Sequence, residues 1–240
     1  MIRTASILIF TLIVFPILAY FFSGPLTELQ WQTLIHLSIG AGTIALTCFA
    51  LSQLTNNYSQ VDKIWSIAPV GYAIYIAYAF NWEPRILLMA GVIAIWGIRL
   101  TYNFSRRGGY SLKFWEGEED YRWEVLRKRK EFQNPIVLML FNLFFVSLYQ
   151  NFLIMSFTLP LIAAGGHADK PLSWIDFSLA TLVIILIVIE TIADQQQWEF
   201  QGEKHSLKKS GKPLEGRFKT GFIHDGLFGI VRHPNYAAVS

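Results

Sequence analysis

Charge is scarce in this 240-residue sequence: Asp, Glu, Lys and Arg together make up 15% of it, where soluble domains carry about 25%. That deficit excludes an ordinary soluble globule. Cysteine is scarcer still. The single Cys48, inside an apolar run, excludes a disulfide framework and a cysteine-based metal cluster, and reads as a small core- or lipid-facing residue. No internal repeat or low-complexity stretch interrupts the chain, so residues 1–240 are expected to form one domain. A small-x-small cleavage site is missing after the first apolar run, which therefore reads as a retained helix and not as a signal peptide.

What the sequence has is apolar bulk: 53% hydrophobic residues, 15% aromatic and a mean hydropathy of +0.37. A helix needs about 20 apolar residues to cross a bilayer core. Six segments meet that length, near 5–22, 31–54, 64–80, 86–104, 135–164 and 175–193. The fold class is accordingly all-α, a polytopic transmembrane helix bundle of about six spans. The fifth segment exceeds a straight crossing, and Pro160 is expected to end or kink it.

Net charge is small, +3, but its distribution is lopsided. Of the 20 Lys and Arg, all but Arg85 and Lys170 fall on one side of a six-span chain. The positive-inside rule then places both termini in the cytoplasm. Two stretches on that side stand out. Residues 104–134, with "EGEEDYRWEVLRKRK", read as a charged surface helix anchored by Trp115 and Trp123. Residues 194–240 form a basic, glycine-containing segment able to meet phosphate groups.

Polar side chains at the cytoplasmic ends of the spans align by helical spacing. "VDKIWS" puts Asp62, Trp65 and Ser66 on one face. "WGIRLTYNFSRRGGY" does so for Arg99, Tyr102, Asn103 and Arg106, and "IETIADQQQ" for Glu190, Asp194 and Gln197. A carboxylate does not bind anionic headgroups, and Glu190 lies a turn inside Asp194, so it is expected to face another helix, with Arg99 as its partner. That pair reads equally as structural or functional. Tyr121 and Arg122 are further site candidates. Asn142, Gln150 and Asn151 are expected to hydrogen-bond between helices. His233 is either an acid–base group or a hydrogen-bonded residue before a helix that starts at Pro234.

In order along the chain, "NNYSQVDKIWSIAPVGYA", "IWGIRLTYNFSRRGGYS", "EDYRWEVLRK", "ADQQQWEFQ" and "DGLFGIVRHPNYAA" resemble the membrane proteins related to 3-oxo-5-alpha-steroid 4-dehydrogenase, over roughly residues 55–240. The resemblance implies an NADPH-dependent oxidoreductase that reduces a carbon–carbon double bond conjugated to a carbonyl in a lipid or sterol-like substrate. It implies that Arg232, His233, Asn235 and Tyr236, with Asp194, Gln197, Arg99 and Asn103, bind the cofactor; no catalytic residue is assigned. Isoprenylcysteine carboxyl methyltransferases share an Arg-His-Pro-x-Tyr stretch, which keeps S-adenosylmethionine open as the alternative cofactor. Two departures stand out. Val239 occupies a position where the reductases carry Glu, and the sequence stops at Ser240, as in a truncated form without enzymatic activity. Expected partners are membrane lipids and the substrate, not nucleic acid. The expected location is the endoplasmic reticulum in a eukaryote or the inner membrane in a bacterium.

Overall fold

The computed structural model describes residues 10, 14, 17, 24–111, 113, 119–167 and 170–239. The first expected span, 5–22, lies almost wholly outside the described residues, as does Trp115. Every described element is helical, and four helices are long and apolar enough to cross a membrane.

Helix α1 (Glu28–Thr55) opens on a capping box, with Gln30 N donating to Thr27 Oγ1 and Thr27 N to Gln30 Oε1; each bond satisfies an orphan donor of the first turn. Its 28 residues extend about 42 Å. Beyond Leu37, the buried stripe Ala41, Ala45, Cys48 and Ser52 is made of small residues, which let neighbouring backbones close in. Asn56, at φ 52°, ends the helix.

Where one crossing helix is expected over 64–80, the chain forms α2 (Gln60–Ile64), a turn, and α3 (Ala68–Ala79). The 12 residues of α3 reach about 18 Å, short of a full crossing. Helix α4 (Pro84–Arg106) is capped by Glu83, whose carboxylate accepts from Ile86 N at 2.9 Å. It lies directly on α3, and Gly97 permits the approach: a Cβ there would stand 2.5 Å from Val70 Cγ2 and 2.7 Å from the Ser66 carbonyl oxygen. A backbone oxygen cannot step aside as a side chain can. Gly97→Ala should therefore lower stability by about 1–3 kcal/mol. Gly91→Ala in the same helix, where nothing lies within 4 Å, should be neutral or stabilising. Thermal unfolding of both variants in detergent checks the pair.

Among its described residues, the charged stretch after α4 contains the short α5 (Tyr121–Arg127) and a 3₁₀ turn at Lys130–Phe132, not an extended surface helix. Trp123 is not an interfacial anchor. It is buried, stands edge-on to Tyr58, and its Nε1 donates to Asp62 Oδ2 at 3.1 Å, because the indole N–H requires a partner once enclosed.

Helix α6 (Pro135–Gly165) has a π-helical stretch at Asn142–Tyr149 and a break at Phe157–Thr158. Pro160 sits in the first turn after the break, where its missing N–H leaves no bond unmade. The interhelical role expected of Asn142 and Gln150 is met: Asn142 Nδ2 donates to Ser52 Oγ at 2.6 Å, and Gln150 accepts from Trp65 Nε1 at 3.3 Å. Asn151 donates within its own helix, to the Ser147 carbonyl, and its side chain also meets Cys48 of α1.

Helix α7 (Trp174–Lys209) runs 36 residues without a break, about 54 Å. It therefore continues as helix well past the expected end of the sixth span, through residues 194–209. At its other end Asp176 pairs with Arg85 at 2.9 Å, while Arg85 also donates to the carbonyls of Lys170 and Pro171. The two basic residues that the charge count set apart thus lie together.

Candidate functional site

The site stands where the C-terminal end of α4 meets the middle of α7. Arg99, its side chain 7% exposed, reaches across with both nitrogens of its fork. Nη2 donates to Glu190 Oε1 at 2.6 Å and Nη1 to Asp194 Oδ2 at 3.0 Å. Asn103, one turn further along α4, donates to the same Asp194 oxygen at 2.7 Å. The Arg99–Glu190 pairing inferred from sequence is present, and the Asp194 contact makes it a three-member cluster. Arg106 extends the row, donating to Gln195 Oε1 at 2.7 Å and lying 4.7 Å from the Trp198 ring centre. Tyr102 joins only at the edge: its ring is 63% exposed and lies 5.5 Å from the Arg106 guanidinium.

The C-terminal segment folds back onto α7. Phe200, fully buried, packs against Phe218 at 5.1 Å between ring centres, with the Arg217 guanidinium over both rings. Lys204 Nζ donates to the Gly221 carbonyl at 3.0 Å. A 3₁₀ turn at Gly226–Gly229 then closes on Gln196, which accepts from Leu227 N at 3.1 Å. Gly226 is required there, with φ +59° and Gln196 atoms within 2.8 Å of where a Cβ would sit. Gln196 escaped sequence reading because "DQQQ" offers three glutamines in succession and helical spacing selected Gln197 alone.

This return path delivers helix α8 (Pro234–Val239) to the ion cluster. Asn235 Nδ2 donates to Asp194 Oδ1 at 3.3 Å, and its own Oδ1 accepts from Tyr236 N. Asp194 is consequently the junction of three helices. In front of it opens a cavity of about 480 Å³, lined by Gln197, Phe228, Arg232, His233, Asn235 and Tyr236, within the range of small-molecule sites. Arg232, His233 and Tyr236 are exposed at its mouth, with the His233 and Tyr236 rings edge to face at 5.8 Å. Gln197 Oε1 is enclosed and lacks a hydrogen-bond partner among the described residues. A buried acceptor left open in this way carries a desolvation cost that a ligand's donor would remove.

All eight residues proposed from sequence therefore gather here: Arg99, Asn103 and Asp194 in the cluster behind, and Gln197, Arg232, His233, Asn235 and Tyr236 around the cavity. The polar face of α2 and the turn after it does not converge with them. Ser66 bonds Thr101 at 2.7 Å, and Asp62 and Trp65 open onto a different hollow beside α4, together with Tyr121 and Arg122. Asp120 lies in that hollow. Burial works against its ionisation, but hydrogen bonds and charge from Arg122 outweigh this and hold its carboxyl below the ordinary range.

The family described as Protein of unknown function (DUF1295) matches residues 48–239. The uncharacterized protein C594.04c of Schizosaccharomyces pombe is 32% identical over 205 residues, covering 79% of this chain and 56% of the yeast protein. The chain thus spans little more than half the length of that relative. No solved structure matches.

Proposed function

We propose that this chain, which belongs to the DUF1295 family, is all or part of a membrane oxidoreductase that binds NADPH at the α7–α8 cavity and reduces a lipid double bond conjugated to a carbonyl. One observation carries the reading. The Gln197, Arg232, His233, Asn235 and Tyr236 side chains share a single cavity, anchored from behind by the Asp194–Arg99 pair.

The donor set fits the cofactor. Arg232 supplies a cation at the mouth for phosphate. Gln197 Oε1 offers an acceptor to a carboxamide N–H, which would fill its open position. Bound there, NADPH would supply the hydride that a conjugated alkene accepts at its β carbon. Negative charge then grows on the substrate's carbonyl oxygen and needs a donor; His233 and Tyr236 are the donors exposed at this cavity. Arg99 and Asn103 hold Asp194, and Asp194 holds Asn235, so the cluster fixes where the cavity wall stands. With six spans and both termini cytoplasmic, the cavity opens towards the cell's soluble nucleotide.

The test is ligand-linked stability of the purified full chain in detergent. NADPH at 100 times its dissociation constant should add about 2.7 kcal/mol to unfolding and visibly raise the thermal midpoint, and tritium from labelled NADPH should enter an enone lipid. A midpoint that rises with S-adenosylmethionine instead, or with neither compound, removes the reductase reading. Methyl transfer from labelled S-adenosylmethionine would replace it with the methyltransferase alternative.

A further inference from the structure

On the other side of α4 lies a larger hollow, of about 590 Å³, between α2, the end of α4 and the start of α5. It shares no lining residue with the α7–α8 cavity. Its walls divide by chemistry. Trp65, Leu100 and Phe104 make an apolar side, and five ionised residues make the other: Asp62, Arg107, Glu119, Asp120 and Arg122.

Three of those five are satisfied within the protein. Glu119 pairs with Arg127 and accepts from Tyr58 N. Asp120 and Arg122 form a two-pronged pair at 2.8 and 3.0 Å. The remaining two are not. Asp62, partly buried, receives one hydrogen bond, from the Trp123 indole to Oδ2, and has no ion-pair partner within contact among the described residues; the charge of Arg122, itself tied to Asp120, reaches it at a distance. The Arg107 side chain, exposed at the rim, makes no hydrogen bond or ion pair among the described residues. Its charge reaches Asp120 at a distance only.

A half-buried carboxylate beside an indole, whose neighbouring guanidinium is already paired with another carboxylate, is better satisfied by a cation in direct contact. Carboxylate and aromatic face together are the combination that attracts an ammonium group. A guanidinium at the mouth of the same hollow suits a phosphate. The hollow also stands at the end of a membrane-crossing helix, the level at which lipid headgroups lie. We infer that it is a phospholipid headgroup site: Asp62 and Trp65 take the ammonium of an ethanolamine-type head, Arg107 takes its phosphate, and Leu100 and Phe104 line the way to the tails.

The experiment compares lysophosphatidylethanolamine with lysophosphatidylglycerol of the same acyl chain, titrated into the 240-residue protein in a nonionic detergent and followed by native mass spectrometry. The two share a phosphate and differ in the ammonium. Wild type should bind the ethanolamine lipid at least tenfold more tightly. Asp62→Asn keeps an oxygen for the Trp123 bond and should erase the preference without changing the thermal midpoint by more than a few degrees. Arg107→Gln should weaken both lipids alike. Equal binding of the two lipids by wild type, or a preference that survives Asp62→Asn, overturns the assignment. Asn235→Ala serves as an internal comparison: the lipid preference should persist in it whatever happens to nucleotide.

Discussion

Replacing Arg99 by Leu is expected to lower the stability of the bundle by about 3–5 kcal/mol, the range for breaking a buried charge pair from one side. Leu fills much of the same volume, so the loss is electrostatic. Glu190 and Asp194, with side chains 11% and 15% exposed, would face each other without the guanidinium that now bridges them. Arg106 cannot substitute, because it reaches the Asp194 backbone carbonyl and not its carboxylate. Arg99→Lys should fall between: the charge remains, but one ammonium on a flexible stem cannot span both carboxylates as the planar fork does. Adding Glu190→Gln and Asp194→Asn to Arg99→Leu should recover most of the loss, since the unpaired charges would then be gone. Unfolding in detergent measures all three variants. An Arg99→Leu protein within 1 kcal/mol of wild type would show that the cluster is hydrated and contributes little.

Asn235→Ala should weaken NADPH binding by roughly 10- to 100-fold while leaving the unliganded protein close to its normal stability. The size follows from a hydrogen bond to a charged partner, worth about 1.5–3 kcal/mol, at about 1.4 kcal/mol per tenfold change in affinity. Asn235 ties Asp194 on α7 to the first turn of α8, and its own oxygen accepts from Tyr236 N. Cutting both contacts frees the stretch that carries Arg232, His233 and Tyr236. The residue is only partly buried, so the fold should tolerate its loss. Asn235→Asp sets a second carboxylate against Asp194 and should bind nucleotide at least as poorly. Calorimetric titration separates the outcomes, and unchanged affinity in Asn235→Ala would place nucleotide elsewhere or nowhere.

The different fates of the three polar stripes mark the limit of reading by periodicity. Arg99 and Asn103 on one helix, and Glu190 and Asp194 on another, were legible as partners because opposite charges buried at one depth have few other ways to be satisfied. Asp62 and Trp65 carry the same helical signature, yet they open onto a different hollow. Spacing says which side of a helix is polar, and nothing about which neighbour that side meets. The inward turn of Trp123 was hidden for a related reason: in a stretch dense with charge, an indole looks interfacial until Asp62 and Tyr58 are seen beside it.

The sequence by itself determined a membrane protein of long apolar helices and the pairing of Arg99 with Glu190, because hydrophobicity and buried charge act over a single helix and need little context. Tertiary structure decided the rest. Close contact at Gly97 sets α4 directly against the short α3, continuous hydrogen bonding carries α7 through 36 residues, and the fold-back onto Phe200 and Gln196 brings Asn235 to Asp194. Each of these depends on residues far apart in the chain meeting within a few ångströms, and no local pattern encodes such a distance.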